Sequence, residues 1–232
     1  MIEIPFPWLC LDIETANPED SIIEREIANW KPTGNVKDPA KIEAQRAEAE
    51  TKIREKAGLL NAAPICSIAI HSCMECKVFH TLKIGEVGVT HVPAPDERSM
   101  LMMLRQYLDT YCGEPTVLVG HNIKKFDLPK LRLRYAVHRL RLPEILAPTT
   151  EIPVDDTMIL FARYFCVGER QFVSLGEMTD ELGISNGGKI LNGKQIPQMV
   201  EAGQHTEIVL YNAADAMLTT QAWQILTSQV GA

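Results

Sequence analysis

At 232 residues, with 46% apolar and 23% charged side chains, the chain has enough apolar material for one sizeable α/β core and is not disordered by default. Its net charge of −7 excludes a surface coated in positive charge for non-specific duplex binding, while leaving room for a local basic strip and an acidic metal site. No apolar run reaches bilayer length, the N-terminus lacks the basic start of a signal peptide, and six scattered cysteines read as free thiols; the expectation is a cytoplasmic protein without membrane contact.

Residues 7–14 read as a strand, with Leu9, Leu11 and Ile13 on one face and Trp8, Cys10, Asp12 and Glu14 on the other. Two acids inside the run WLCLDIET pose a problem, because burying a lone carboxylate is costly unless something pairs it. The polar stretch 17–60 does not fit a simple sheet. Within it Asp38 is a plausible N-cap and Pro39 a first helical residue, and Ile42, Ala49, Ile53, Ala57 and Leu60 form a thin apolar stripe. This predicts one long helical arm inserted into a single domain spanning 1–232. For the arm, packing on the surface is preferred over contact with substrate or with a replication or repair protein.

Segments 65–72 (ICSIAIHS) and 77–82 (KVFHTL) predict a hairpin. It holds His71, Cys73, Cys76 and His80 within ten residues, types that can bind zinc, but both histidines fall inside the strands. Helical spacing of Leu101, Leu104 and Leu108 marks 97–112, and TVLVGHN at 116–122 is a short strand. A helix follows from about Leu128, and VDDT at 154–157 reads as a strand end entering a helix. Asp155 and Asp156, adjacent on an extended segment, point to opposite faces and suit turn and cap roles. Ser174-Leu-Gly-Glu177 is a capping box, 185–195 a glycine-rich loop, and 206–227 a last helix with Ile208, Tyr211, Asp215, Leu218 and Ala222 on one stripe.

Asp12 and Glu14, two apart on a strand, leave the same face and repel unless a cation sits between them; hard oxygen ligands suit Mg²⁺ or Mn²⁺. Asp127 follows a strand end at a helix start, where a cap role alone would account for it. Tyr211 and Asp215, four apart, share a helix face. The strip Lys124–Arg141 carries seven Lys/Arg around the single acid Asp127, and reads equally as a solvated face or a nucleic-acid track.

DIET, GHNIKKFD and YNAAD, in that order, resemble the three motifs of DEDD-type 3′→5′ exonucleases, a family with a ribonuclease-H-like fold. The tyrosine four residues before the last aspartate resembles the DEDDy branch, and the Asn122-to-Asp127 spacing is most similar to the exonuclease domain of family-B DNA polymerases. The likeness covers most of 7–227 apart from the arm. It implies an α/β fold with a mixed five-stranded sheet flanked by helices. It also implies two Mg²⁺ or Mn²⁺ ions: Asp12 bridging both, Glu14 and Asp215 on the first, Asp127 on the second. Tyr211 would orient the attacking water, Glu14 and the Thr15 backbone would lie near the terminal 3′-OH, and Asn122 near the penultimate nucleotide. The implied substrate is single-stranded DNA or a frayed 3′ end, released as nucleoside 5′-monophosphates. RNA trimming in the manner of ribonuclease D, or a catalytically silent interaction module, are the alternatives. Lys124, Lys125, Lys130, Lys189 and Lys194 are candidates for a single-strand channel.

Overall fold

The computed structural model describes residues 7–113, 116–148, 153–166, 172–185 and 193–230. The chain opens with β1 (Trp8–Thr15), then α1 (Asp20–Ala28), α2 (Pro39–Glu55) and a 3-10 turn at Ala57–Leu59. The antiparallel strands β2 (Ile65–Ser72) and β3 (Cys76–His80) follow, then β4 (Thr90–Pro93), α3 (Glu97–Tyr111), β5 (Val117–Gly120) and α4 (Asp127–Val137). The remainder is β6 (Val154–Asp156), α5 (Thr157–Tyr164), α6 (Leu175–Glu181), α7 (Ile196–Glu201) and α8 (His205–Val230). Among the described residues no helix is long and apolar enough to cross a membrane.

The strands form one mixed sheet in the order β4-β3-β2-β1-β5-β6. β2 runs antiparallel to β1 and β3, whereas β5 and β6 run parallel to β1. The run β3-β2-β1-β5-β6 is the expected five-stranded ribonuclease-H-like sheet. The sixth strand, β4, corrects the expected count: it pairs parallel to the outer edge of β3. The alternation along β1 decides both layers. Leu9, Leu11 and Ile13 enter a core with Leu101, Leu104 and Leu108 of α3 and Leu128 and Leu131 of α4. Cys10, on the opposite face, joins Ile208, Val209, Ala213 and Ala216 of α8. Burial of this kind contributes on the order of 1.5–3 kcal/mol for each large side chain, which locks the register and hence the face from which Asp12 and Glu14 project.

The insert between β1 and β2 holds two helices and a turn where one helix was expected. Asp38 caps α2 as its sequence predicts, its carboxylate accepting from the Ala40 N–H. None of the residues of α2 is buried. Ile23 and Ile27 of α1 pack with Ala57 and, partly, with Ile53, a small cluster of the insert's own. The base of the insert is tied down firmly. The Thr15 hydroxyl donates to the Gly58 carbonyl at 2.7 Å, and a side chain on Gly58 would meet Pro197 at 2.8 Å, so only glycine permits this approach.

Candidate active site

Three carboxylates meet where β1 faces α8. One oxygen from each of Asp12, Glu14 and Asp215 lies within 4.8 Å of the others; Glu14 and Asp215 are buried and Asp12 partly so. β1 supplies the first two because a spacing of two residues returns to the same face, and α8 brings Asp215 across on its buried stripe. Ionised together they repel by about 3 kcal/mol or more per pair at an effective dielectric constant of about 20. A divalent cation relieves that repulsion, and an all-oxygen donor set suits Mg²⁺ or Mn²⁺, so the residues present fit such an ion.

Asp12 is oriented by a neutral neighbour. The Asn212 amide donates to Asp12 Oδ2 at 2.6 Å, and Asn212 Oδ1 in turn accepts from the Ser67 hydroxyl at 2.6 Å. This chain joins α8, β1 and β2, and all of Asn212 and Ser67 is buried. Sequence reasoning missed both residues. The available signal was a serine in the otherwise apolar run ICSIAI, and an asparagine beside Tyr211 on the first apolar turns of a long helix.

Tyr211 is buried and its hydroxyl donates to Asp215. Burial, with the negative charges of Asp215, Glu14 and Asp12 around it, drives its pKa far above the ordinary phenol value, so the group is protonated at neutral pH. Asp127 stands apart from the three-acid group. β5 ends at Gly120, and past Cys10 the β5-side edge of β1 loses its partner strand. Asp127 Oδ1 takes the place of a strand carbonyl there, accepting from the Ile13 N–H at 3.1 Å. Burial pushes the Asp127 carboxyl up to about 7, the charge of Asp156 adding to the rise while the amides of Asp127 and Ile13 oppose it. Asn122 has the left-handed φ of 59° that turns the chain from β5 towards α4; its N–H and that of Lys124 donate to Asp156 at 3.0 and 3.1 Å. Asp156 also caps α5, while Asp155 accepts from the Trp223 indole at 2.8 Å, so the two adjacent acids serve opposite faces as expected.

A groove of about 860 Å³ opens on Glu14 and Asp215 and is lined also by Thr15, Asn122, Phe126 and Tyr211 among others. Leu59 of the insert stands in its wall, 58% exposed, and Phe172 contributes an exposed ring.

The basic strip does not form one face. Lys130 is only 5% exposed and donates to the Leu60 carbonyl at 2.6 Å, Arg132 donates to the Leu146 carbonyl, and buried Arg134 pairs with Glu97. These hold the fold, which removes Lys130 from the channel candidates; Lys124, Lys125 and Lys194 are exposed, and Lys189 lies outside the described residues. The hairpin cluster does not converge either. Cys76 pairs across the strands with His71, but His80 lies four residues further along β3, about 13 Å away, and shares a hydrogen bond with His91. Among the described residues the one group that could hold a metal is Asp12, Glu14 and Asp215.

Residues 4–149 match the family model described as DNA polymerase family B, exonuclease domain. A search of curated proteins finds no match. Asp12, Glu14, Asn122 and Asp127 lie inside the matched stretch, Tyr211 and Asp215 beyond it.

Proposed function

Because the chain belongs to the family of DNA polymerase family B exonuclease domains, we propose that it trims DNA from the 3′ end by the DEDDy chemistry, releasing nucleoside 5′-monophosphates. Asp12, Glu14 and Asp215 would hold one divalent cation, and Asp127 would serve a second from the edge of β1. The observation that carries this reading is the meeting of Asp215 with Asp12 and Glu14. Asp215 lies outside the matched stretch, so its arrival at the first two acids is support independent of the family match. Divalent cations bound there supply Lewis-acid polarisation of the phosphoryl group and neutralise the charge that develops on the leaving oxygen.

The chain's own groups do the positioning. Asn212, donating to Asp12 Oδ2, restrains the rotamer of the carboxylate that joins Glu14 and Asp215. Tyr211, donating a hydrogen bond to Asp215, keeps oxygen lone pairs with which to accept one from the attacking water. Being held in its protonated form, it orients that water without removing its proton. Thr15 and Asn122, both in the groove wall, are suited to the terminal and penultimate nucleotides. No acid of the set is missing, which weighs against a silent interaction module.

The test is a time course on 3′-labelled single-stranded, duplex and mismatched DNA, and on a matched RNA, with Mg²⁺, Mn²⁺ or EDTA. Trimming of single-stranded and mismatched DNA should require the metal. Asp12→Ala and Asp215→Ala should fall to the EDTA background with circular dichroism unchanged, and Tyr211→Phe should slow the reaction by about 10–100-fold. Full activity in either alanine variant removes the mechanism; faster RNA cleavage moves the substrate.

A further inference from the structure

Lys194 lines two cavities. It stands in the wall of the acid groove, and it also lines a second cleft of about 680 Å³ between the end of α2 and α7, with Glu55, Lys56, Gln195, Gln198 and Gln204. The base of the insert does the same: Leu59 reaches the first cavity, Glu55 and Lys56 the second. The two cavities are therefore neighbours, with Lys194 common to both and the base of the insert bordering each. The far wall of the acid groove is formed by α6, which presents Glu177, Asp180 and Glu181. Among the described lining residues, carboxylates stand on the α6 side, while Lys194 leads to the second cleft and its Lys56.

A polyanion bound with its 3′ end at Asp12, Glu14 and Asp215 meets opposite fields in the two directions it could leave. Toward α6 each phosphate faces carboxylates; toward Lys194 and Lys56 it faces ammonium groups, with neutral glutamines that can bond to phosphate or sugar oxygens whatever the base. Glu55 is the one acid in the second cleft among the described residues. The geometry points to a substrate path: the single strand 5′ of the reacting nucleotide crosses the Lys194 saddle and lies between the base of the inserted arm and α7, its phosphates on Lys194 and Lys56. The ligand class is single-stranded nucleic acid, bound through its backbone without sequence preference. This rests on the exonuclease reading for the position of the 3′ end. It also gives the insert a substrate role in place of the surface packing its sequence favours.

The path is tested with Lys56→Ala and Lys56→Glu, at an exposed position outside the lining of the acid groove. Three substrates separate chemistry from path: a thymidylate dodecamer, its dinucleotide, and the p-nitrophenyl ester of thymidine 5′-monophosphate. The dodecamer KM should rise roughly threefold to tenfold, more for glutamate than alanine, while kcat/KM for the two short substrates stays at the wild-type value. Fluorescence anisotropy of the labelled dodecamer in Ca²⁺ reads binding without turnover. There, log K against log salt should lose a slope of about 0.7 in Lys56→Ala, and about twice that in Lys56→Ala/Lys194→Ala. A dodecamer KM and salt slope equal to wild type overturn the path. If the wild type binds the dodecamer with a Lys56-dependent slope and cleaves none of the three substrates, the path stands and the exonuclease reading falls.

Discussion

Asp12 gains its orientation from a side chain that adds nothing to the charge of the site. Asn212 donates to it at 2.6 Å while Ser67 fixes the amide. Asn212→Ala should therefore lower kcat by about 10–100-fold without loss of secondary structure, read by parallel activity and circular dichroism measurements. Asp127 makes a different prediction. Its folded carboxyl is raised from 3.8 to about 7, so between these values the native state holds a proton that the unfolded chain has released. The group's contribution to stability is intact below the unfolded value and is lost as pH climbs through the folded one. In EDTA, Asp127→Asn should melt a few degrees above wild type at pH 8 and close to it at pH 4, its amide oxygen still able to accept from Ile13. Equal melting curves at both pH values would remove the assigned cause. The acids were legible because their type and spacing are costly without a purpose. Asn212 and Ser67 were not, since a polar residue in a helix or strand has ordinary explanations until its partner is seen. Lys130 was misread because a run of charges reports composition and says nothing of which ammonium ends on a carbonyl.

Among the elements, α3 and α4 are fastened at one half-buried acid, Glu97. Glu97 accepts from Arg134 Nε at 2.8 Å, from the Ile65 N–H at 2.8 Å and shares a bond with His138, so one carboxylate joins both helices to β2. Arg134 holds it well enough that its pKa falls below the usual carboxylate value despite the opposing effect of burial. Arg134→Met strands that charge and should cost about 3 kcal/mol, roughly 6–12 °C in melting temperature. A change below about 2 °C would mean that Ile65 and His138 suffice. Elements with sustained periodicity and a cap were readable: β1, α3, α6 behind Ser174, and α8 with its stripe Ile208, Tyr211, Leu218 and Ala222 all buried. Those missed were short or weakly marked. β4 is four residues ending in proline at a sheet edge, and its register comes from β3 alone. α1 has no side-chain cap and buries only Ile23 and Ile27, so its sequence carries a single helical repeat.

At the scale of the whole molecule the insert and the sheet are nearly separate in their packing. α2 buries nothing and the insert's small cluster is distinct from the two that cover the sheet. The ends of the insert lie close together, since Thr15 and Gly58 touch. Replacing residues 20–54 with a short glycine-serine turn should thus leave the melting temperature within about 5 °C, on the scale of about 1–2 kcal/mol for a chain of this size, and retain dinucleotide hydrolysis. Unfolding of the excised chain would show that the helices brace the sheet. The bond from Asn212 to Asp12 spans 200 residues of sequence. On the exonuclease reading, a nascent chain carries Asp12 and Glu14 long before the helix that completes their setting, and stays inert until that helix has been made. Proteolytic nicking that releases the last helix would likewise disarm the molecule in one cut, leaving the first two motifs intact but harmless.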